Sequence, residues 1–232
     1  MRNCWLSEYY QTRLHMCHVS TRGALDAIQM AKLRGAPVTC EVTPHHLWFT
    51  NDTCDYRVNP PIRTADDVQA LVDGIRSGIV DAIATDHAPH SEEDKLKGMA
   101  GMVGSETAFG VCYTKLCKQE GLPLEVLVHL MSTARRRSWA WPRASWSRAT
   151  TPTLCWWIWT PPYTVDKDKL HSKSHNTPLT AWSFTARCRA PSRAARSPIR
   201  QKPKRTNLSR RLRASSPEGQ ALCHRVGKAV PQ

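Results

Sequence analysis

Histidine and aspartate residues follow three apolar segments of the chain. His18 follows the first segment, His45 and His46 follow the second, and Asp86 follows the third. Imidazole and carboxylate groups are ligands for Zn²⁺, which brings the pKa of a bound water to about 7 and so makes hydroxide available near neutral pH. A carboxylate that touches both the metal and the water can also act as a general base. The pattern therefore indicates metal-assisted hydrolysis.

Strands and helices that alternate along the chain must position these groups. Short apolar, β-branched runs are typical of buried strands, and apolar residues at a spacing of three to four are typical of amphipathic helices. The predicted strands are residues 14–19, 38–42 and 79–85, and the predicted helices are residues 23–34, 64–77, 106–120 and 123–133.

This alternation predicts an α/β fold with a parallel sheet, either open or closed as a barrel. In a (β/α) barrel the catalytic groups lie at the carboxyl ends of the strands. The polar clusters 18–20, 43–46 and 86–90 occupy that position in the sequence. We therefore expect them to lie at one edge of the sheet.

Five segments of the chain resemble, in order and approximate spacing, the signature blocks of the dihydroorotases of the amidohydrolase superfamily. They are LHMCHVST (14–21), CEVTPHHL (40–47), NPPIR (59–63), DAIATDHAPH (81–90) and GMVGSETAFG (101–110). The resemblance implies a partial TIM-type (β/α) barrel and the zinc-dependent, reversible hydrolysis of L-dihydroorotate to N-carbamoyl-L-aspartate. Allantoinases and hydantoinases share the fold, but they more often show CPHYL-type and SDHxP-type blocks.

The resemblance also implies a role for individual residues. His18 and Asp86 would bind one or two zinc ions, and Asp86 would also handle the proton of the attacking water. The groups that would contact the small-molecule substrate are the side chains of Asn59 and His90 and the backbone of Ala100 and Gly101.

Other residues in these blocks receive structural interpretations. We expect His45 and His46 to support the site without binding metal, and His87 to support Asp86. The charged run 91–97 is predicted to be a solvated loop.

Several family ligands have no counterpart in this chain. The family's metal site begins with an HxH pair and continues through a bridging lysine or aspartate and a further histidine, and none of these blocks occurs here. We therefore expect residues 1–134 to be the second half of a barrel. Open sheet edges predict association with a complementing chain or as a homo-oligomer. A non-catalytic partner subunit is an alternative function.

The composition of the chain changes after about residue 134. Residues 1–134 hold 12 Lys and Arg against 16 Asp and Glu (net −4), and residues 135–232 hold the remaining 21 and 3 (net +18). A segment so highly charged and poor in aliphatic residues disfavours a packed core. We predict a largely irregular basic tail with a family-like segment at 161–179, and we interpret 135–160 and 180–232 as out-of-frame translation.

The remaining composition excludes several function classes. The basic tail and its tryptophans would suit nucleic acid, but no nucleic-acid-binding motif accompanies them, so no specific nucleic-acid partner is expected. No apolar run approaches the roughly 18 residues that span a membrane. Nine scattered cysteines without a CxxC pair favour a reducing cytoplasm.

Overall fold

The computed structural model describes residues 1–133, 156–158 and 162–189. All of them lie within Met1–Ser192, one of two compact units of the chain. The out-of-frame interpretation covers 135–160 and 180–232, of which 135–155, 159–160 and 190–232 lie outside the described residues. It therefore stays a prediction.

A three-stranded parallel sheet organises the first part of the chain, as the sequence predicts. Its strands are β1 (Leu14–Met16), β2 (Val38–Val42) and β3 (Ala82–Ile83), in that spatial order. Leu14 pairs with Val38, and Val42 pairs with Ile83. Each strand thus lies beside the next one in sequence, so the three carboxyl ends meet at one edge.

The two crossover helices are α2 (Arg22–Leu33) and α4 (Ala65–Arg76), within two residues of their predicted bounds. Each begins at a threonine whose hydroxyl accepts a backbone hydrogen bond: Thr21 from Ala24 (3.2 Å) and Thr64 from Asp67 (3.3 Å). Such N-caps satisfy amides that the first turn leaves unpaired. The apolar sides of both helices are buried.

Further helices complete this part of the structure. The sequence analysis missed α1 (Arg2–Tyr10), α3 (Pro44–Trp48) and α5 (Glu92–Leu96). The predicted helices are present as α6 (Ala108–Cys112), which continues as π-helix over Tyr113–Gln119, and α7 (Leu124–Val128), which continues as π-helix over His129–Thr133.

Helix α5 corrects the prediction of a loop at 91–97. The Ser91 hydroxyl caps it by accepting a hydrogen bond from the Asp94 amide (3.1 Å), and three acidic residues occupy its first turn. Negative charge is favourable there because the helix dipole is positive at that end. The helix buries no residue, so the expectation of a solvated segment is right although the loop is wrong.

The apolar interior forms two clusters. The first cluster lies between the sheet and its helices and includes Val38, Cys40, Val42, Ile28, Leu71 and Phe109. The second cluster joins residues far apart in sequence, namely Phe49, Val58, Ile62, Met102, Val111, Val165, Leu179 and Phe184.

The last described segment supplies one side of the second cluster. Its strands β5 (Tyr163–Thr164) and β6 (Ser183–Phe184) pair antiparallel, and a 3-10 turn at Lys167–Lys169 lies between them. Phe184 is 1% exposed and Ala186 is fully buried. Packing therefore continues beyond residue 179, the predicted end of the family-like segment. Strands β4 (Trp156–Ile158) and β7 (Arg187–Arg189) form a second antiparallel pair.

Among the helices described, none combines the length and the apolar character needed to cross a bilayer.

Candidate active site

Two residues at the strand ends have left-handed backbone conformations. His18 follows β1 with φ 41°, and Asp86 follows β3 with φ 47°. Such conformations cost a non-glycine residue about 1–3 kcal/mol, and they cluster at functional sites. The family resemblance predicts a metal ligand at each of these two positions.

Electrostatic effects show that the two residues approach the same buried pair of histidines. Burial is the largest cause of the lowered pKa of His45 and His46, and nearby His18 lowers both further. Asp86 acts in the opposite sense by raising the pKa of His46. His18 and Asp86 thus both act electrostatically on His46.

His18 fits the role of a metal ligand. Its Nδ1 atom is buried and has no hydrogen-bond partner. An unpaired buried imidazole nitrogen costs about 1–3 kcal/mol, which a bound cation would offset. Within the described part of the chain, however, His18 and Asp86 belong to no group of three close ligand atoms. Catalytic zinc normally takes at least three protein ligands, so these two fit part of such a site.

His46 holds two family blocks together. Its Nε2 lies 2.9 Å from the Pro60 carbonyl, which can only accept, so Nε2 carries the proton. The Thr43 hydroxyl then donates to Nδ1 over 2.7 Å. Both ring nitrogens are therefore satisfied within the protein. This geometry supports the structural role expected for His46 and ties the block at 40–47 to that at 59–63.

His45 is also buried, but unlike His46 it has a ring nitrogen without a hydrogen bond. Its Nε2 has no hydrogen-bond partner, and burial, reinforced by His46 and His18, lowers its pKa to about 3. The ring is neutral over the physiological pH range. Its centroid lies 4.4 Å from that of His46.

Asn59 is exposed in the loop that His46 holds. The loop's position follows from the Pro60 contact, because that residue is the direct neighbour of Asn59 in the chain. The structure thus places Asn59 beside the strand-end groups. It shows no contact that would fix the direction of its amide.

The structure brings together His90, Ala100 and Gly101, the residues for which the resemblance implies substrate contacts. The Nε2 atom of His90 lies 3.0 Å from the Ala100 carbonyl, to which it donates. The His90 Nδ1 atom then carries the lone pair and can accept a hydrogen bond. The backbone at Ala100 and the imidazole of His90 therefore form one unit close after Asp86 in the chain.

Gly101 needs to be glycine for two reasons. Its φ is +136°, and a Cβ atom there would lie 2.6 Å from the Ala88 Cβ and 3.0 Å from the His90 Nε2. A side chain would displace the His90 ring. The predicted substrate contact of His90 thus depends on the absence of a side chain at Gly101.

Asn176, which the sequence analysis did not select, holds this unit in place. Its Oδ1 accepts from the His90 amide (3.1 Å), and its Nδ2 donates to the carbonyls of Ala88 (3.3 Å) and Gly101 (3.1 Å). Ser174 donates to the His90 carbonyl. The signal for Asn176 in the sequence is its place in the family-like segment 161–179.

Lys95 braces the same loop from the helix side. Its Nζ donates to the carbonyls of Met99 (2.8 Å), Gly101 (3.0 Å) and Arg57 (3.2 Å). The ammonium also lies 4.2 Å from the centroid of the Tyr56 ring. Partial burial and nearby Arg57 lower its pKa. The charged run 91–97 therefore contributes to loop position as well as to the surface.

His87 contacts the backbone of a later segment. Its Nδ1 accepts from the amides of Gly104 (3.2 Å) and Ser105 (3.3 Å). These contacts hold the start of the 104–110 segment, and the support of Asp86 by His87 stays a prediction.

Parallel strands with crossover helices, carrying ligand-type groups at their carboxyl ends, define part of a (β/α) barrel of the amidohydrolase type. An L-hydantoinase (dihydropyrimidinase) from Arthrobacter aurescens matches with a TM-score of 0.74 and 26% identity, covering 80% of this chain and 44% of that one. An inactive dihydroorotase-like domain of the Chaetomium thermophilum CAD-like multifunctional protein matches with a TM-score of 0.60, 17% identity, and coverage of 79% and 50%. The predicted partial barrel is confirmed.

The sequence relatives are dihydroorotases, which confirms the resemblance predicted from the motifs. The dihydroorotase of Clostridium botulinum is 43% identical over 184 residues, or 79% of this chain and 46% of the relative. That of Anaeromyxobacter sp. is 41% identical over 199 residues, or 81% and 46%. The chain thus spans about half the length of these relatives. No protein-family model matches it.

Proposed function

We propose that the chain carries half of a dihydroorotase active site and that its reaction is the reversible hydrolysis of the cyclic amide of L-dihydroorotate. One observation carries the proposal. His18, with an unpaired buried nitrogen, follows β1, and Asp86 follows β3, so the two residues flank the end of β2 in left-handed backbone conformations. The substrate class is proposed because the sequence relatives are dihydroorotases.

Asp86 is the proton carrier in this proposal. A bound zinc ion would supply hydroxide near neutral pH. Asp86 takes the proton from the attacking water as the new C–O bond forms, and it delivers that proton to the amide nitrogen as the C–N bond breaks. In ring closure the proton travels the other way. His18 and Asp86 would hold the ion from this chain's side.

The His90 unit orients the substrate. The lone pair on His90 Nδ1 can accept from an imide N–H, and the exposed amide of Asn59 offers a donor for the substrate carboxylate. The backbone of Ala100 and Gly101 lies next to this imidazole. A substrate with both donors and acceptors suits this mixture of groups.

The remaining metal ligands would come from outside the described residues. In the sheet order β1-β2-β3, the outer edges of β1 and β3 carry no strand from the described residues. Unpaired edges are templates for pairing with another chain. We infer a complementing chain or a homo-oligomer, and also a cytoplasmic location, since the described cysteines are all free.

The test is turnover of L-dihydroorotate by the full chain with added Zn²⁺, compared with an Asp86→Asn variant. Zinc-dependent turnover that falls at least about a hundredfold in Asp86→Asn supports the proposal. Equal turnover in the two proteins contradicts it. Hydantoin and allantoin serve as competing substrates, and a preference for either would move the assignment to the hydantoinase or allantoinase alternative.

A non-catalytic homologue is the second candidate function. Two ligands from this chain fall short of a full catalytic site, and one structural neighbour is described as inactive. This candidate predicts a folded chain that binds L-dihydroorotate or N-carbamoyl-L-aspartate without turnover, alone or with added zinc.

A further inference from the structure

Three potential metal ligands other than His18 and Asp86 lie close together: His15 is on β1, Cys17 directly follows β1, and Glu41 is on β2. The ligand atoms of His15, Cys17 and Glu41 all lie within 4.8 Å of one another. His15 is paired in register with Thr39, two residues before Glu41. Because side chains alternate across a strand, this face is opposite to that of Cys40 and Val42, which are buried under the helices.

The hydrogen bonds of His15 fix which ring nitrogen is free. Its Nδ1 lies 2.8 Å from the Thr39 hydroxyl oxygen, which is itself 3.4 Å from the Leu14 carbonyl. The carbonyl can only accept, so the hydroxyl donates to it, and the His15 Nδ1–H donates to the hydroxyl. The Nε2 atom therefore carries a lone pair, the state in which imidazole binds metals.

That lone pair faces a carboxylate. The Nε2 atom of His15 is buried without a hydrogen-bond partner, and it lies 3.2 Å from Oε2 of Glu41. Two acceptors at this distance repel each other unless a proton or a metal cation lies between them. Cys17, a free cysteine, places its Sγ atom within 4.8 Å of a ligand atom of each of these two residues.

We propose that His15, Cys17 and Glu41 form a divalent-cation site for a thiophilic ion of the Zn²⁺ class. Imidazole, thiolate and carboxylate are the three ligand types that proteins use for Zn²⁺, and three of them leave one tetrahedral position open. Binding releases the thiol proton to solvent. The ion joins β1 to β2, and so stabilises the sheet that carries the strand-end groups.

Cobalt(II) is the probe, because a thiolate ligand gives a sulfur-to-cobalt charge-transfer band that nitrogen and oxygen ligands do not give. Titration of the full chain under reducing conditions is expected to produce this band with one equivalent of Co²⁺. Cys17→Ser is expected to abolish it. The control Cys117→Ser, which removes a half-buried free thiol outside the proposed site, is expected to retain it.

Variants of the other ligands distinguish a built site from a thiol that binds metal alone. His15→Gln and Glu41→Gln are expected to weaken Co²⁺ binding at least about tenfold. Thr39→Val keeps all three ligands but removes the partner of Nδ1, and is expected to weaken binding less. Undiminished binding in both His15→Gln and Glu41→Gln, or a band that survives in Cys17→Ser, overturns the proposal.

This site and the proposed catalytic site fail separately. Asp86→Asn and His18→Gln remove the catalytic ligands, and they are expected to leave the charge-transfer band in place. A band that requires Asp86 or His18 as strictly as Cys17 contradicts a separate site. A chain with the band and without turnover would overturn the proposed function alone.

Discussion

The two apolar clusters of the molecule are built in different ways. The first cluster comes from strands and helices that follow one another in sequence, with residues such as Cys40 and Leu71 fully buried between them. The second cluster joins Phe49 and Met102 to Val165 and Phe184 across long stretches of chain. Nearest-neighbour βα units secure the sheet, whereas long-range docking secures the loop that holds His90.

The difference matters because the proposed site draws on both clusters. The strand ends place His18 and Asp86, and the docked segment places Asn176 against the His90 loop. The first cluster therefore determines where a metal can bind. The second determines the shape of the surface that would contact the substrate.

Removing a phenylalanine from either cluster gives the largest expected effect. Phe184→Ala and Phe109→Ala delete rings that are 1% and 5% exposed, and each is expected to cost about 3–5 kcal/mol of unfolding free energy. Hydrogen exchange during urea titration would separate them. We expect Phe184→Ala to release segment 162–186 while 14–42 stays protected, and Phe109→Ala to weaken both. Equal release of both segments in Phe184→Ala would show a single cooperative unit.

Two helical glycines provide a matched pair. A Cβ atom at Gly110 would lie 2.6 Å from the Tyr163 hydroxyl and 2.8 Å from the Ala186 carbonyl, which is backbone. Gly110→Ala is therefore expected to cost about 1–3 kcal/mol by pushing the docked segment away. At Gly74 the nearest atom is the mobile end of the Leu25 side chain, at 2.5 Å. Gly74→Ala is expected to cost less, because Leu25 can rotate and alanine favours the helix. Urea midpoints in the opposite order would contradict this difference.

Gly101→Ala tests the loop itself. Its positive φ and the clash with Ala88 are expected to cost about 2 kcal/mol. Gly121→Ala is the control, because its φ is also positive (+70°) but a Cβ atom there meets nothing within 4 Å. The chemical shift of the His90 ring should change in Gly101→Ala and stay unchanged in Gly121→Ala. An unchanged chemical shift in Gly101→Ala would contradict the claim that Gly101 determines the position of the His90 ring.

Acid is expected to loosen one contact of the docked segment. Partial burial raises the pKa of Glu106, but hydrogen bonds from His171 and Ser172 outweigh this effect, so the net pKa lies below the ordinary value of 4.5. A carboxyl group with a lowered pKa stabilises the fold above its ordinary pKa, and that contribution disappears as the pH falls through the folded-state pKa.

The protection of the amides of residues 171–172, relative to their intrinsic exchange rate at each pH, should therefore fall as the pH drops below the ordinary carboxyl pKa of 4.5. Glu106→Gln should show that loss of protection already at neutral pH and lose most of the acid dependence. Glu93→Gln is the control, since Glu93 pairs with Lys97 on the surface of α5. Acid dependence that persists in Glu106→Gln would assign the effect to another group.

The sequence predicted the first cluster well and the second poorly, for a physical reason. Helices α2 and α4 can be predicted from the spacing of their apolar residues and from their threonine caps, which are local signals. The contacts of Asn176 with residues 88, 90 and 101 depend on a chain reversal that no local pattern encodes. Helix α5 was missed because a run of charges resembles a loop unless the Ser91 cap is given weight.

The residues of the candidate site also fall into those that the sequence can identify and those that it cannot. His18 and Asp86 could be selected from their positions after strands and from the family resemblance. The free nitrogen of His15 and its approach to Glu41 could not be selected, because both depend on the register of β1 with β2 and on the Thr39 hydroxyl.

The most direct test of the account is equilibrium binding of L-dihydroorotate to the full chain, its Asn176→Ala variant and its Glu93→Gln control. The account predicts saturable binding to the unmodified chain and to Glu93→Gln, and binding at least about tenfold weaker in Asn176→Ala, because a lost hydrogen-bonding side chain there costs about 1–3 kcal/mol. Equal affinity in all three proteins, or no binding to the unmodified chain, would contradict the claim that the two regions together form the substrate surface.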